Sequence, residues 1–178
     1  MKIYNYFYLM ILISQFISGC TGGDMKSDLP VVDYVDLNRY IGKWYEIARY
    51  PNRFQKDCVA TTATYSIRED GDIKVLNQCR KVTVDGELDT AEGKAWVVDK
   101  KTNAKLKVQF FWPFRGDYWI IMLDKNYKYS IVSDPDRKFL WILSRTPQME
   151  QGTYNKIIKK LKSLGFDEKK LIKAPQNI

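Results

Sequence analysis

The chain has 178 residues, of which 29 are Lys or Arg and 21 are Asp or Glu, so its formal net charge is +8. It contains no histidine, which excludes His-ligated haem, His-based zinc sites and catalytic triads or dyads that need an imidazole. The length is sufficient for one domain with a substantial core.

Residues 1–19 are expected to be a secretory signal and not part of the fold. Lys2 provides a short positive start, and residues 4–17 are largely apolar. This run is shorter than the ~20 residues that a transmembrane helix needs. The ending Ser18-Gly19-Cys20 resembles the lipobox of bacterial lipoproteins, in which the cysteine is acylated and becomes the mature N-terminus. Thr21 stands where an Asp would resemble an inner-membrane retention signal, which indicates the outer membrane.

Residues 20–33 are predicted to form a lipidated tether, because most of them are small or polar. Residues 34–178 are the predicted folded domain. An exported protein rarely meets nucleic acid, so no nucleic-acid partner is expected. The basic charge favours an anionic lipid surface instead, with an ordinary solvated surface as the alternative.

Between Gly42 and Arg145, short runs of alternating apolar residues are separated by turn signals, which predicts an all-β barrel or sandwich. In the first strand, at about 43–50, alternation places Trp44, Glu46 and Ala48 on one face and Tyr45, Ile47 and Arg49 on the other. The later strands are predicted at about 59–68, 72–82, 89–98, 104–111, 117–124 and 128–133, followed by one with Phe139, Trp141, Leu143 and Arg145 on one face.

A three-residue loop, Glu69-Asp70-Gly71, predicts the register of the second and third strands. Tyr65 then lies opposite Val75, Ala63 opposite Asn77, and Thr61 opposite Cys79. A disulfide between Cys58 and Cys79 suits an exported protein. It requires a bulge or a bend at the start of the second strand, because the register places Cys58 on the other face. Two separate thiols are the alternative.

The fourth and fifth strands are predicted to line a cavity. Ala91, Gly93, Ala95 and Val97 share one face of the fourth strand, and these small residues leave room inside a barrel. In the fifth strand, Leu106, Val108 and Phe110 are expected to face inward. Residues 112–116 (WPFRG) are predicted to form an apolar loop.

After Pro147 the apolar period changes to that of a helix. Tyr154, Ile157, Ile158, Leu161 and Leu164 form one face, and Gly165 is expected to end the helix. Its lysines are interpreted as a solvated face, with membrane contact as the alternative. Leu171-Ile172 is expected to add a short final strand.

The order GKWYEIARYPNRFQ, YSIVSDP, FLWILSRTP and one helix resembles the lipocalins, in particular the lipoprotein lipocalins of bacterial outer membranes and animal apolipoprotein D. The resemblance covers about residues 34–173 and implies an eight-stranded up-and-down antiparallel barrel with one C-terminal helix packed outside. It assigns Gly42, Trp44 and Arg145 to structure, with Arg145 packed across Trp44 at the closed end. Ser133-Asp134-Pro135 departs from the T-D-Y block of many lipocalins, a variation that similar members share.

The resemblance implies a cup for fatty acids, lysophospholipids or similar amphiphiles, tethered to the membrane through acylated Cys20. No cofactor, metal or catalytic activity is expected. Three alternatives remain: a lipid-modifying enzyme using Glu46 and Tyr65, an envelope interaction protein using the Trp112 loop and the basic helix, and a homodimer. The predicted ligand-binding residues, which on the alternative view are ordinary core residues, are Tyr65, Asn77, Phe110, Tyr118 (by resemblance only) and Trp141.

Overall fold

The computed structural model describes residues 28–176. The predicted signal, Cys20 and most of the predicted tether lie outside this range. Nine strands, two α-helices and two 3₁₀ helices follow one another in the described chain. The strands are β1 (Gly42–Arg49), β2 (Cys58–Ile67), β3 (Ile73–Lys81), β4 (Leu88–Val97), β5 (Lys105–Phe111), β6 (Phe114–Leu123), β7 (Tyr129–Ser133), β8 (Leu140–Ser144) and β9 (Ile172–Lys173); the α-helices are α1 (Leu37–Tyr40) and α2 (Gln151–Ser163), and the 3₁₀ helices are Arg53–Gln55 and Glu168–Lys170.

Strands β1 to β8 form a closed antiparallel barrel. Each of β2 to β7 pairs with the next strand in the chain, β8 pairs with β1, and β1 pairs with β2 to complete the ring. This confirms the predicted eight-stranded up-and-down barrel with one helix outside. None of the helices in residues 28–176 is long and apolar enough to cross a bilayer.

The strand pairings define two ends of the barrel. Gly42 pairs with Tyr65, and Val97 with Leu106, at the end that α1 and Trp44 cover, which we call the closed end. Phe111 pairs with Phe114 at the other end, the open end. The open end carries the connections 50–57, 82–87, 112–113 and 134–139. The predicted apolar loop 112–116 is therefore too long, because Phe114 already belongs to β6.

A bulge in β1 reverses the inward and outward faces of that strand. Against β8, Glu46 pairs with Leu143 but Ala48 pairs with Ile142, so one residue is inserted between them. Trp44 packs inside the barrel, whereas Ala48 packs against the outer cluster beneath α2. The expectation that Ala48 shares the face of Trp44 is therefore wrong, and Arg49 is brought to the side of Glu46 instead.

A second bulge lies at the start of β2. From Thr62 to Ile67 the pairing with β3 follows the predicted register, with Tyr65 opposite Val75 and Ala63 opposite Asn77. Between Val59 and Thr62 the register shifts, and Ala60 adopts a φ of 49°. The shift places Cys58 5.5 Å from Cys79, Cα to Cα, and a disulfide joins them. The required bulge is thus present.

The segment 28–36 runs along the outside of the barrel from the open end to the closed end. The Asp28 carboxylate accepts a 2.8 Å hydrogen bond from Arg137, in the open-end connection 134–139. Leu29 is buried under α2, and the Val35 amide donates to Thr102 near the closed end. The end of the predicted tether, from Asp28 onward, is therefore packed against the barrel.

Residues after α2 complete the wall beside β1. Strands β1 and β2 pair directly only at Gly42–Tyr45 of β1. Beyond that point, β9 pairs with Ala48 and Arg49. The Gln176 side-chain amide donates to the carbonyls of Glu46 and Thr61, at 2.6 and 3.1 Å, and so connects β1 to β2. We call residues 172–176 the seam segment.

Candidate ligand-binding cup

The inner wall of the barrel is a predominantly apolar cup. Trp44 and Val35 at its closed end are fully buried, whereas several other inward-facing residues keep accessible surface. Solvent thus reaches part of these side chains although they face the interior. The inward-facing residues that keep such surface include Asn77, Val97, Val108, Phe110, Tyr118 and Trp141.

The closed end is sealed by an aromatic and cationic stack. The Arg145 guanidinium carbon lies 3.8 Å from the centre of the Trp44 ring, a favourable cation–π distance. The Trp44 indole donates 2.9 Å to the Tyr40 carbonyl. Gly42 has a φ of +95°, and a Cβ there would lie 3.3 Å from an Arg145 nitrogen. The glycine is therefore required both by backbone conformation and by the close approach of Arg145.

A chain of four hydroxyls crosses the base of the cup. The Tyr118 hydroxyl lies 2.8 Å from that of Tyr40 and 3.0 Å from that of Tyr65. The Tyr40 hydroxyl is also 3.0 Å from that of Ser130. Burial raises the pKa of Tyr40 to about 12 and raises the pKa values of Tyr65 and Tyr118 as well. All three phenols are consequently neutral, and each keeps its hydrogen for donation.

Counting hydrogens shows that this chain has one donor to spare. Each hydroxyl carries one hydrogen, and the four hydroxyls make three mutual hydrogen bonds. One of the four hydrogens therefore has no acceptor within this chain of hydroxyls, and it can belong to any of the four because either hydroxyl can donate in each of these bonds. Among the four residues, Tyr118 alone is only partly buried. When Tyr40 and Tyr65 both donate to Tyr118, the Tyr118 hydroxyl is the one whose hydrogen is left for an acceptor on a bound molecule.

One side of the cup is shaped by Phe110 and Gly93. A Cβ on Gly93 would lie 2.7 Å from the Phe110 ring and 2.5 Å from the Gln109 carbonyl oxygen. The space left by the small residue is thus occupied by the Phe110 ring and is not empty, contrary to the expectation for this position. Asn77 shares the inner face of β3 with Val75, and its carboxamide has no hydrogen-bond partner within residues 28–176.

A buried polar network connects the cup wall with the open-end connection 50–57. Arg49 donates 2.6 Å to one Glu46 oxygen, and the Gln55 amide donates 2.6 Å to the other. The Trp141 indole donates 2.8 Å to the Gln55 side-chain oxygen. Burial raises the pKa of Glu46, while the Arg49 charge and the Gln55 hydrogen bond oppose that increase. This network holds the Trp141 ring in the wall and the 3₁₀ helix at the mouth.

The structure thus places all five predicted ligand-binding residues on the interior of the barrel, at two levels. Tyr65 and Tyr118 belong to the base, whereas Asn77, Phe110 and Trp141 line the wall above it. Sequence periodicity missed Tyr40, Ser130 and Gln55. Tyr40 and Gln55 lie outside the strands, where side chains do not alternate between two faces. Ser130 occupies an inward position of β7, but it is polar, so a search for alternating apolar residues does not find it.

The residues do not assemble a metal site in the described part of the chain. Cys58, Cys79 and Asp89 bring potential ligand atoms within 4.8 Å of one another. The two sulfurs are bonded to each other, and Asp89 forms an ion pair with Lys81 at 2.7 Å. A disulfide has no thiolate to offer a metal ion.

A protein family and several individual proteins are similar to this chain over most of its length. A family described as a lipocalin-like domain matches residues 35–176. The chain is 45% identical over 168 residues to the outer membrane lipoprotein Blc of Vibrio cholerae, covering 94% of this chain and 96% of that protein. It is 39% identical to the protein of the same name from Escherichia coli, covering 90% of each. It is also 37% identical to apolipoprotein D of Macaca fascicularis, covering 83% and 80%.

Solved structures share the fold at lower identity. Insecticyanin from the tobacco hornworm Manduca sexta superposes with a TM-score of 0.68 at 24% identity, covering 84% of this chain and 85% of that one. This likeness bears on the barrel architecture alone.

Proposed function

The chain belongs to the lipocalin family, and we propose that it is an outer-membrane lipoprotein that binds and carries fatty acids, lysophospholipids or similar amphiphiles in its cup. The observation that supports this most directly is the accessible apolar wall around Phe110 and Trp141 above a polar base. Each CH₂ group transferred from water to such a wall contributes about 0.8 kcal/mol. An acyl chain of about a dozen carbons would therefore bind even after the entropy of ordering it is subtracted.

The two levels of the cup fit an amphiphile. Phe110 and Trp141 provide aromatic surface for the chain, while Asn77 and the spare hydroxyl hydrogen at the base provide polar contacts. A carbonyl, carboxylate or hydroxyl oxygen on the ligand would accept that hydrogen. The residues that we propose to contact the ligand are Tyr65, Asn77, Phe110, Tyr118 and Trp141.

A different set of observations supports the location that we propose. The V. cholerae and E. coli relatives are outer membrane lipoproteins by name, and this chain has Ser18-Gly19-Cys20 after an apolar run. We propose that residues 1–19 are removed, that Cys20 is acylated, and that the barrel is held at the outer membrane.

The proposed role is binding without catalysis. A catalytic mechanism would require the Glu46 carboxylate together with Tyr65. Both of its oxygens are engaged, by Arg49 and Gln55, and the Tyr65 hydroxyl bonds to Tyr118 instead. Incubation with a lipid ligand should therefore leave the mass of that lipid unchanged, and a product of altered mass would support the enzymatic alternative.

The test is mass spectrometry of lipids extracted from the mature protein purified gently from envelopes. A fatty acid or lysophospholipid in near-stoichiometric amount is the expected result. The same sample reports whether Cys20 carries acyl chains. A protein without lipid, whose tryptophan fluorescence also fails to respond to added acyl chains, would overturn the proposal.

A further inference from the structure

The exposed Phe and Trp side chains of residues 28–176 are concentrated at one end of the barrel. Among residues 28–176, every exposed Phe and Trp lies at the open end. Trp112 is 87% exposed at the tip of the β5–β6 hairpin, between Phe111 and Phe114, and Phe54 is 66% exposed in the connection 50–57. Exposed apolar surface concentrated in one place marks an interaction site. Trp is also the side chain most typical of the boundary between lipid and water.

Positively charged side chains lie next to these aromatics in the sequence. Arg53 and Lys56 flank Phe54, and Arg115 follows Phe114. None of these three cations forms an ion pair with the described residues, and the Arg53 guanidinium lies 5.0 Å above the Phe54 ring. Unpaired cations next to exposed aromatic rings suit a surface of anionic lipid headgroups.

The chain also enters the described fold at this end. Asp28 is bound by Arg137 in the connection 134–139, so the segment that precedes it starts beside the cup mouth. Eight residues separate Asp28 from the cysteine end of the predicted tether, counting Cys20 itself. Fully extended, they span at most about 26–29 Å.

That reach determines which end can meet the membrane. Strands of ten residues, such as β2 and β4, are about 33 Å long. Tilted by about 40°, they make a barrel roughly 25 Å tall. With the closed end toward the membrane, the tether would have to run the whole height of the barrel almost fully extended. With the open end toward the membrane, it has only to bridge from the rim to the surface.

We infer that the open end of the barrel rests on the lipid bilayer that holds the acylated Cys20, with Phe54, Phe111, Trp112 and Phe114 inserted at its surface. The inference rests on the proposed lipid anchor. It adds that the cup mouth faces the bilayer, so an acyl chain passes between the cup and the membrane without crossing bulk water.

Quenching by brominated lipid tests this orientation. The mature, full-length acylated protein is reconstituted in vesicles of phosphatidylethanolamine and phosphatidylglycerol, with and without phosphatidylcholine brominated on its acyl chains. Trp112→Leu removes the proposed inserted indole but keeps an apolar tip. Trp96→Leu is the matched control, because Trp96 lies on the outer wall of β4 toward the closed end, beside Lys94.

The expected result is that the brominated lipid quenches the wild-type protein, that most of this quenching is lost in Trp112→Leu, and that little is lost in Trp96→Leu. Equal quenching in wild type and Trp112→Leu would overturn the orientation. The orientation would also be overturned if chemical cross-linking captured dimers in which brominated lipid does not quench Trp112. The rim would then be an interface with a second copy of the chain. Acylation and bound lipid are measured by mass on the same sample, so a missing anchor or an empty cup reveals failure of the proposed function separately from failure of the orientation.

Discussion

Arg145 lies over the Trp44 ring at 3.8 Å while its terminal nitrogens donate to the carbonyls of Lys43, Arg39, Tyr40 and Ile41 at 2.7–3.1 Å. One side chain therefore stacks on the residue that fills the barrel and binds the carbonyls that α1 and its end leave unpaired. Arg145 thus holds α1 in place over the closed end of the barrel.

Arg145→Lys should destabilise the protein by about 1–3 kcal/mol, because a Lys ammonium cannot stack flat on the indole and reach several carbonyls together. Urea denaturation followed by tryptophan fluorescence measures the change. Arg115→Lys is the matched control, since Arg115 is exposed and unpaired within the described residues, and it should change stability by less than about 0.5 kcal/mol. Equal urea midpoints for both variants would show that stability does not depend on the planar guanidinium group of Arg145.

Arg49→Leu should destabilise the barrel by about 3–5 kcal/mol at neutral pH, because it leaves the buried Glu46 carboxylate without its partner. Burial raises the pKa of Glu46, and loss of Arg49 removes the charge that opposes this increase. The native state then binds a proton more readily than the unfolded state, so stability of the variant should improve as the pH falls. Urea midpoints at pH 5 and pH 8 measure this, with Arg49→Leu plus Glu46→Gln as the control that should lose the pH dependence.

Alkaline pH should unfold the barrel through its buried phenols. The pKa of Tyr40 is raised from 10.0 to about 12 by burial, so above pH 10 the unfolded chain has released a proton that the native state keeps. Stability then decreases as the pH rises from 10 toward 12. Tyr40→Phe should flatten this decrease between pH 10 and 12 in thermal melts. Tyr34→Phe, at a position 61% exposed, should leave the slope unchanged. A flatter slope in Tyr34→Phe than in Tyr40→Phe would show that the buried phenol of Tyr40 does not cause the decrease in stability.

Gly93→Ala should destabilise the protein by about 1–3 kcal/mol. Its Cβ would overlap the Gln109 carbonyl oxygen, at 2.5 Å, as well as the Phe110 ring. Gly116→Ala is the control on a neighbouring strand, because its Cβ would meet only a Val108 methyl at 3.8 Å. Thermal melts of the two variants should separate them clearly. If Gly93→Ala were as stable as Gly116→Ala, both the Phe110 ring and the Gln109 backbone would have to move aside at little cost.

Trp141→Ala should weaken binding of a fluorescent fatty acid by about tenfold, because it removes an aromatic contact from the proposed acyl site. Trp119→Ala is the matched control, since Trp119 packs on the outer side of the barrel under Lys105. Titration of both variants with the same probe should show a change in the dissociation constant for Trp141→Ala alone. Similar affinities would remove Trp141 from the proposed contact set.

The sequence predicted the parts of this fold that follow regular alternation. The register of Tyr65 with Val75 and the stacking of Arg145 on Trp44 needed only the period of two, one hairpin loop and the lipocalin resemblance. The faces of Ala48 and Arg49 were wrong because an inserted residue in β1 shifts the period by one, and a run of eight residues is too short to reveal it.

The polar parts of the site were less predictable. Gln55 reaches Trp141 and Glu46 from a connection between strands, where no repeating pattern constrains a side chain. The hydroxyl of Ser130 joins that of Tyr40 across 90 positions of sequence. Such contacts depend on how the barrel brings distant strands together, which neither composition nor spacing expresses.

The seam segment has a consequence for how the barrel is assembled. Gln176 meets the carbonyl of Glu46 across 130 positions, and Ala60 and Ile47 bond to Pro175 and Ala174 in the same region. The gap between the first two strands is therefore closed by residues that follow all eight barrel strands in the chain. Contacts of such long separation form late and slow the folding of β-proteins. A newly exported chain would keep a split in its wall, with unpaired strand edges, until these residues dock.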